Sequence, residues 1–264
     1  MKTFHELQEG LQDPNIFKAF FLAGGPGSGK SFVVGKTTGG TGLRIVNSDD
    51  IFEKYLKDAG LEMDMRTAKA DREAEDREVL RKKAKDVTKS RQDNYLKGRI
   101  GLILDGTGKD YDKIVNQSVK LKQLGYDTHM IFVNTSIDVA LERNANRKRS
   151  VQDSVATKSW KQVQSNMGKF SQHFRGNMVI VDNNDIKEDD GTIFNDVLKQ
   201  IRSLARKKVK NPTAKAWIEN HHLIFDRSIQ IPNQQQLLPN QLLYCYRLFL
   251  VFLHHRNKNQ SRVF

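Results

Sequence analysis

Gly24, Gly29, Lys30 and Ser31 stand in the spacing G-x-x-x-x-G-K-S, inside the stretch "FFLAGGPGSGKSFVV" from Phe20 to Val34. Glycines at such positions let the backbone take positive φ and turn successive N–H groups toward one point, where they cradle a phosphate. A helix that starts at the same place adds the positive end of its dipole. In this arrangement Lys30 is expected to reach the β- and γ-phosphates of a nucleoside triphosphate, and the Ser31 hydroxyl to bind Mg²⁺. Gly24, Gly25, Pro26, Gly27, Ser28, Gly29, Lys30, Ser31 and Phe32 are therefore the expected nucleotide-binding set, with ATP and Mg²⁺ as the expected cofactors.

Three further groups carry chemistry. In "IVNSDDIFEKYL", Asp49 and Asp50 follow an apolar run, where a carboxylate can accept the proton of an attacking hydroxyl. One Asp is expected to act as that base and the other to cap the helix that follows. In "LILDGTGKDYDK", Asp105 ends a second apolar run and is expected near Mg²⁺, with Thr107 and Lys109 facing the acceptor. In "LERNANRKRSV", Arg143 and Arg147 are four apart, a spacing that shares one helix face, and Arg149 follows. Guanidinium groups there would close over the γ-phosphate as a lid. Lys30, Asp49, Arg143 and Arg147 are the catalytic candidates, and Asp50, Asp105, Thr107 and Lys109 the substrate-binding ones. Ser31 and Asp105 are the expected metal ligands.

These residues need a scaffold that brings them to one edge. Five short apolar runs supply it: Ile16–Ala23, Leu43–Ser48, Arg99–Asp105, Thr128–Asn134 and Asn177–Asp182. Each is nearly continuous in its apolar residues, as in strands covered on both faces. Helical segments alternate with them, over Glu62–Lys97, Asp110–Leu124, Ile137–Arg149 and Ser154–Phe174. This order predicts an α/β, three-layer P-loop fold with a mostly parallel five-stranded sheet and a helical lid. Ligands then sit at the C-terminal ends of the strands.

Composition bounds the remaining questions. The 264 residues carry a net charge of +13, which favours polyanionic partners or simply keeps the chain soluble. Eight Lys and Arg residues between Arg143 and Arg175 face one acid, Asp153, and Lys199–Lys210 adds a second basic run. The single cysteine, Cys245, fits a reducing compartment, and no apolar leader opens the chain, so the cytoplasm is expected. The late apolar run Leu242–Leu253 is too short to span a bilayer and contains Arg247. The tail pairs His221-His222 and His254-His255 are not expected to form a metal site. After about Asn211 the sequence becomes rich in Gln, Asn and Leu, so residues 1–210 are expected to form the kinase-like domain and 211–264 a poorly structured tail.

A GTPase would carry a guanine-reading N-K-x-D stretch, and none occurs. "DGT" resembles the haloacid-dehalogenase signature, but that needs an Asp two residues earlier, where Ile103 stands. The ordered set "GGPGSGKS", "IVNSDDIF", "LILDGTGKD", "LKQLGYDTHMIFV" and "ALERNANRKRSV" resembles the P-loop kinases that include zeta toxins and polynucleotide 5′-hydroxyl kinases. The likeness covers roughly Phe20 to Phe174. It implies that Asp49 is the acceptor-activating aspartate and that Asp105 and Thr107 match the E/D-G-T stretch on the acceptor side. The R-N-x-x-R pattern with Val151, Met167 and Phe170 is more similar to the polynucleotide kinase lid. Val151-Gln152 stands where that lid has Val-Pro, and no phosphatase domain is attached. The expected activity is transfer of the γ-phosphate of ATP to a nucleic-acid 5′-hydroxyl, a nucleoside or a nucleotide sugar. The alternative is a nucleotide-dependent nucleic-acid-binding module with little turnover. The expected partners are ATP and a hydroxyl-bearing acceptor, with nucleic acid suggested by the basic lid region and no membrane. An antitoxin-like protein partner is compatible with the resemblance.

Overall fold

A computed structural model describes residues 11, 13–147, 149–184 and 191–229, with the backbone alone at 37, 68, 191–194 and 222–229. Five strands form one parallel sheet in the order β2-β3-β1-β4-β5. They are β1 (Lys18–Ala23), β2 (Arg44–Val46), β3 (Leu102–Asp105), β4 (Asp127–Asn134) and β5 (Met178–Asp182). All five expected strands are present, and β1 and β3 start later than expected. Phe17 and Arg99 precede these two: both have positive φ, 57° and 56°, so the chain bends there before it can pair.

The helices are α1 (Lys30–Thr38), α2 (Asp49–Asp58), α3 (Ala68–Arg72), α4 (Ala74–Lys97), α5 (Tyr111–Gln123), α6 (Ile137–Ala145), α7 (Asp153–Phe174), α8 (Gly191–Arg206) and α9 (Pro212–Ile229). Alternate strand residues feed two cores. Phe21, Leu104, Met130 and Phe132 pack with Ile114 and Leu121 of α5 and Val163, Phe170 and Phe174 of α7. Phe20, Leu22, Ile103, Ile131 and Val133 pack with Val33 and Val34 of α1 and with Val197, Ile201 and Leu204 of α8. Helix α7 shows why its sequence is helical: its buried positions 156, 159, 163, 166, 170 and 174 recur every three or four residues.

Two helices differ from expectation. Glu62–Lys97 is not one helix but α3 and α4, preceded by a loop over 61–67. Side chains there compete for backbone groups. Glu62 accepts from the N–H groups of Met63 and Asp64 at 2.8 and 3.0 Å, and Thr67 caps α3 by accepting from Ala70 at 3.2 Å. Helix α6 ends at Ala145, so Arg143 and Arg147 do not share a helix face. Asn144 stops it: its side chain donates to the Val151 carbonyl at 2.7 Å and accepts from the Val151 N–H at 3.2 Å, tying the end of the helix to Val151.

The expected tail begins as helix α9. Its first turns belong to the compact unit Met1–Ile218. Ala214 is fully buried, and Trp217 meets the Phe17 ring edge-on at 5.5 Å. The apolar contact needs only one small and one large residue, too little to stand out in a polar stretch. Residues 230–264, with Cys245, His254, His255 and the run Leu242–Leu253, lie outside the described residues. Among the described residues, no helix is long and apolar enough to cross a membrane.

Candidate active site

The P-loop follows β1, at the sheet's C-terminal edge. Two of its glycines are required by the walls around them. Gly27 has φ 75°, and a Cβ there would lie 1.9 Å from the Ala140 carbonyl oxygen of α6. Gly29 has φ 80°, and its Cβ would lie 2.2 Å from the Asn183 side-chain nitrogen. The loop is braced at one carbonyl: Ser28 O accepts from Asn183 Nδ2 at 2.7 Å and from Thr135 Oγ1 at 3.2 Å. Trp160 Nε1 in turn donates to the Thr135 carbonyl at 2.7 Å.

Lys30 opens α1 and folds its ammonium back over the loop, donating to the carbonyls of Gly24 at 2.7 Å and Gly25 at 3.2 Å. Burial pushes its pKa down, opposed by the charges of Asp105 and Asp49 and reinforced by Arg147 and Arg149. These five side chains therefore sense one another. Ser31 is exposed in the first turn of α1. Phe32 is half-buried against the α1 core, with Lys36 Nζ 5.8 Å from its ring centre.

Asp105 ends β3, opposite Leu22 in the register. Burial raises its carboxyl above the usual range, the Lys30 charge opposes this, and Asp49 and Asp50 raise it further. The turn after it is tied to the P-loop: Gly24 N donates to the Thr107 carbonyl at 2.9 Å. Asn166 of α7 holds the same turn, donating to the carbonyls of Gly108 at 3.1 Å and Lys109 at 2.9 Å. The Lys109 side chain is exposed.

Asp49 and Asp50 are the first two residues of α2, and neither caps it. The cap position is Ser48, which makes no side-chain cap bond. Asn47 does that work instead, accepting from the Asp49 N–H at 2.7 Å and donating to Asp50 Oδ1 at 3.2 Å. The expected capping role for one of the two Asp residues is thus corrected. An acid one residue inside the helix cannot fold back onto the N–H groups that a cap reaches. Partial burial raises the Asp50 carboxyl, followed by the like charges of Glu53 and Asp49, with Arg149 opposing.

The arginines divide. Arg143 lies at the end of β5 beside Gly29, donating to the carbonyls of Asn183 at 2.7 Å and Asn184 at 3.3 Å. Arg147 is exposed beyond the end of α6. Arg149 reaches α2, with Nη2 2.8 Å from Asp49 Oδ2 and Nε 2.9 Å from Glu53 Oε1. Ser150 anchors this loop, donating to Asp64 Oδ1 at 2.8 Å, while its carbonyl accepts from Met65 N at 3.1 Å. The Arg66 guanidinium holds Asp64 well below the usual carboxylate range.

Sequence reasoning missed Glu53, Thr135, Asn144, Asn166 and Asn183. Thr135 and Asn183 had a signal, as polar residues that directly follow the apolar runs of β4 and β5. Glu53 had one in its i+4 spacing from Asp49. Asn144 had one as the asparagine of the R-N-x-x-R pattern, whereas Asn166, inside α7, had none. Among the described residues, no group of three or more His, Cys, Asp or Glu is placed to hold a metal ion.

The zeta toxin family model matches residues 6–194. No curated protein matches the sequence directly. Among solved structures, a candidate kinase from Chloroflexus aurantiacus superposes with a TM-score of 0.50 at 16% identity, over 71% of this chain and 98% of its own. A protein of the PezAT chromosomal toxin-antitoxin system of Streptococcus pneumoniae gives 0.47 at 13% identity, over 87% and 99%. A deoxyadenosine kinase from M. mycoides with bound dATP gives 0.42 at 17% identity, over 69% and 98%. The likeness to the first is one of fold.

Proposed function

The chain belongs to the zeta toxin family, and from that premise we propose that it is a kinase moving the γ-phosphoryl group of ATP to a hydroxyl group. One observation carries the reading: a P-loop lysine, a strand-end acid and an arginine-bound aspartate converge at one edge of the sheet. A module that only binds nucleotide has no use for Asp49 at that place.

Each residue has a task in this reading. The P-loop amides orient the triphosphate, and Lys30 exchanges its bonds to the Gly24 and Gly25 carbonyls for the β- and γ-phosphate oxygens. Ser31 and Asp105 are hard oxygen donors beside Lys30 and suit Mg²⁺, which when bound neutralises charge on those oxygens. Asp49 accepts the proton of the acceptor hydroxyl. The acceptor oxygen bonds to the γ-phosphorus, the bond to the β–γ bridging oxygen breaks, and ADP leaves. Arg147 and Arg149 neutralise the charge that develops during transfer. Arg143 supports this indirectly, by fixing the Asn183 backbone beside Gly29. Thr107 and Lys109 flank the acceptor. The acceptor classes are a nucleic-acid 5′-hydroxyl, a nucleoside and a nucleotide sugar.

The test is a radiolabelled γ-phosphate transfer screen against 5′-hydroxyl DNA and RNA, nucleosides and UDP-sugars. A labelled product from one class is the expected result. ATP binding without transfer to any class would overturn the kinase reading in favour of a nucleotide-binding module.

A further inference from the structure

We propose that the protein carries a second anion site, at the end of the sheet opposite the P-loop, that takes a small, multiply phosphorylated ligand. This does not rest on the kinase reading. A cavity of about 780 Å³ opens where β4 begins, a size within the range of roughly 300–1,000 Å³ usual for small-molecule sites. Strand β4 is eight residues long, which at ~3.3 Å per residue separates its two ends by about 25 Å. The cavity is therefore distinct from the nucleotide site.

Its charge is predominantly positive. Lys122 from α5 and Lys207, Lys208 and Lys210 from the α8–α9 connection line it. Among the described residues none of the four is in an ion pair. Asp127 also lines the cavity, but its carboxylate is already held by Lys18 Nζ at 2.5 Å. The two basic walls are tied together, because Asn211 Nδ2 donates to the Lys122 carbonyl at 2.9 Å. Four ammonium groups thus line one hollow, none of them ion-paired among the described residues. Lysines act as point charges that suit phosphate groups of varied orientation.

The lining also holds unsatisfied polar groups. Thr128 is 2% exposed and His129 1% exposed, and both line the cavity. Among the described residues, neither the Thr128 hydroxyl nor either His129 ring nitrogen has a hydrogen-bond partner, and the His129 ring stacks on Phe20 at 4.7 Å, so both side chains form the closed floor beneath the lysines. The concave shape, with charge converging from two walls, favours a compact anion over a strand of nucleic acid, which tracks a basic stripe along a face.

The probe is inorganic tripolyphosphate, titrated calorimetrically. Wild-type protein should show two sites. Lys30→Ala should keep one, and the triple variant Lys207→Gln/Lys208→Gln/Lys210→Gln should weaken that one at least tenfold. The three lysines are exposed, so the triple variant should melt with the wild type. A single wild-type site abolished by Lys30→Ala, or two sites untouched by the triple variant, would overturn the proposal. Displacement of the second tripolyphosphate by a ten-residue oligothymidylate of equal or higher affinity would overturn the small-ligand assignment and make the patch a nucleic-acid surface.

Discussion

The Arg149 guanidinium forks across Asp49 and Glu53, one turn apart on α2, at 2.8 and 2.9 Å. The arginine side chain is only 12% exposed, whereas Asp49 is 51% exposed. The loop after α6 is therefore latched to the helix that carries the proposed base. Glu53 holds the fork, and Asp49 stays half exposed beside it.

The latch should be measurable. Glu53→Gln removes one charged partner and leaves Arg149 freer to move. We expect a change in KM for the acceptor with ATP affinity intact. Arg149→Lys cannot bridge both carboxylates and should lower kcat at least tenfold. If both variants match the wild type in steady-state kinetics, Arg149 is only a surface brace.

Asp49→Asn should keep the ATP Kd and lower kcat by about 10²- to 10⁴-fold, the usual cost of losing a general base. Asp50→Asn should change kcat far less, because Asp50 is bonded to Asn47 and, among the described residues, makes no ion pair with Arg149. Calorimetry for ATP and turnover on the identified acceptor separate the two. A dead Asp50→Asn with an active Asp49→Asn would move the base by one residue.

Gly27→Ala should abolish nucleotide binding and lower stability, since its methyl would collide with the Ala140 carbonyl at a position that already needs positive φ. Lys30→Ala should remove the ATP-induced rise in melting temperature without such a loss of stability. The two variants, melted with and without ATP and Mg²⁺, distinguish a broken loop from a missing charge.

Stability should fall on acidification, with His129 as a cause. Burial, helped by the charges of Lys18 and Lys207, pushes its pKa down to about 3. The neutral ring is favoured in the folded state, so its contribution is complete above the unfolded value of about 6.5. It is lost as pH falls from there toward 3. At pH 5 the loss is roughly 2 kcal/mol. His173, bonded to Ser118 at 2.7 Å and also lowered by burial, acts in the same direction. His129→Leu should flatten the profile of unfolding free energy between pH 7 and 5. An unchanged profile would place the acid sensitivity elsewhere.

Ending the chain after Asn211 should destabilise it by about 2–4 kcal/mol, because Ala214 and Trp217 leave Phe17 and Tyr126 uncovered. Denaturant midpoints of a chain ended after Asn211 and of one ended after residue 229 decide the matter. Equal midpoints would mean that α9 adds nothing to the core.

By itself the sequence determined the parts whose rules are local. The five strands follow from apolar runs, the P-loop from spacing, and Asp105 and Asp49 from their places at strand ends, since a parallel strand delivers its last residue to a known edge. Tertiary structure decided what depends on neighbours far along the chain. The partner of Arg149 lies 100 residues earlier, and no periodicity links them. Where α6 stops was set by one asparagine amide that returns to Val151, outcompeting the helical pattern of "ALERNANRKRS". Gly27 and Gly29 were legible as phosphate-loop glycines, but the walls that forbid a Cβ there, Ala140 and Asn183, become neighbours only once β4 and β5 stand side by side. The basic cavity likewise exists only because α5 and the α8–α9 connection meet below β4, gathering charges that the sequence shows merely as separate runs.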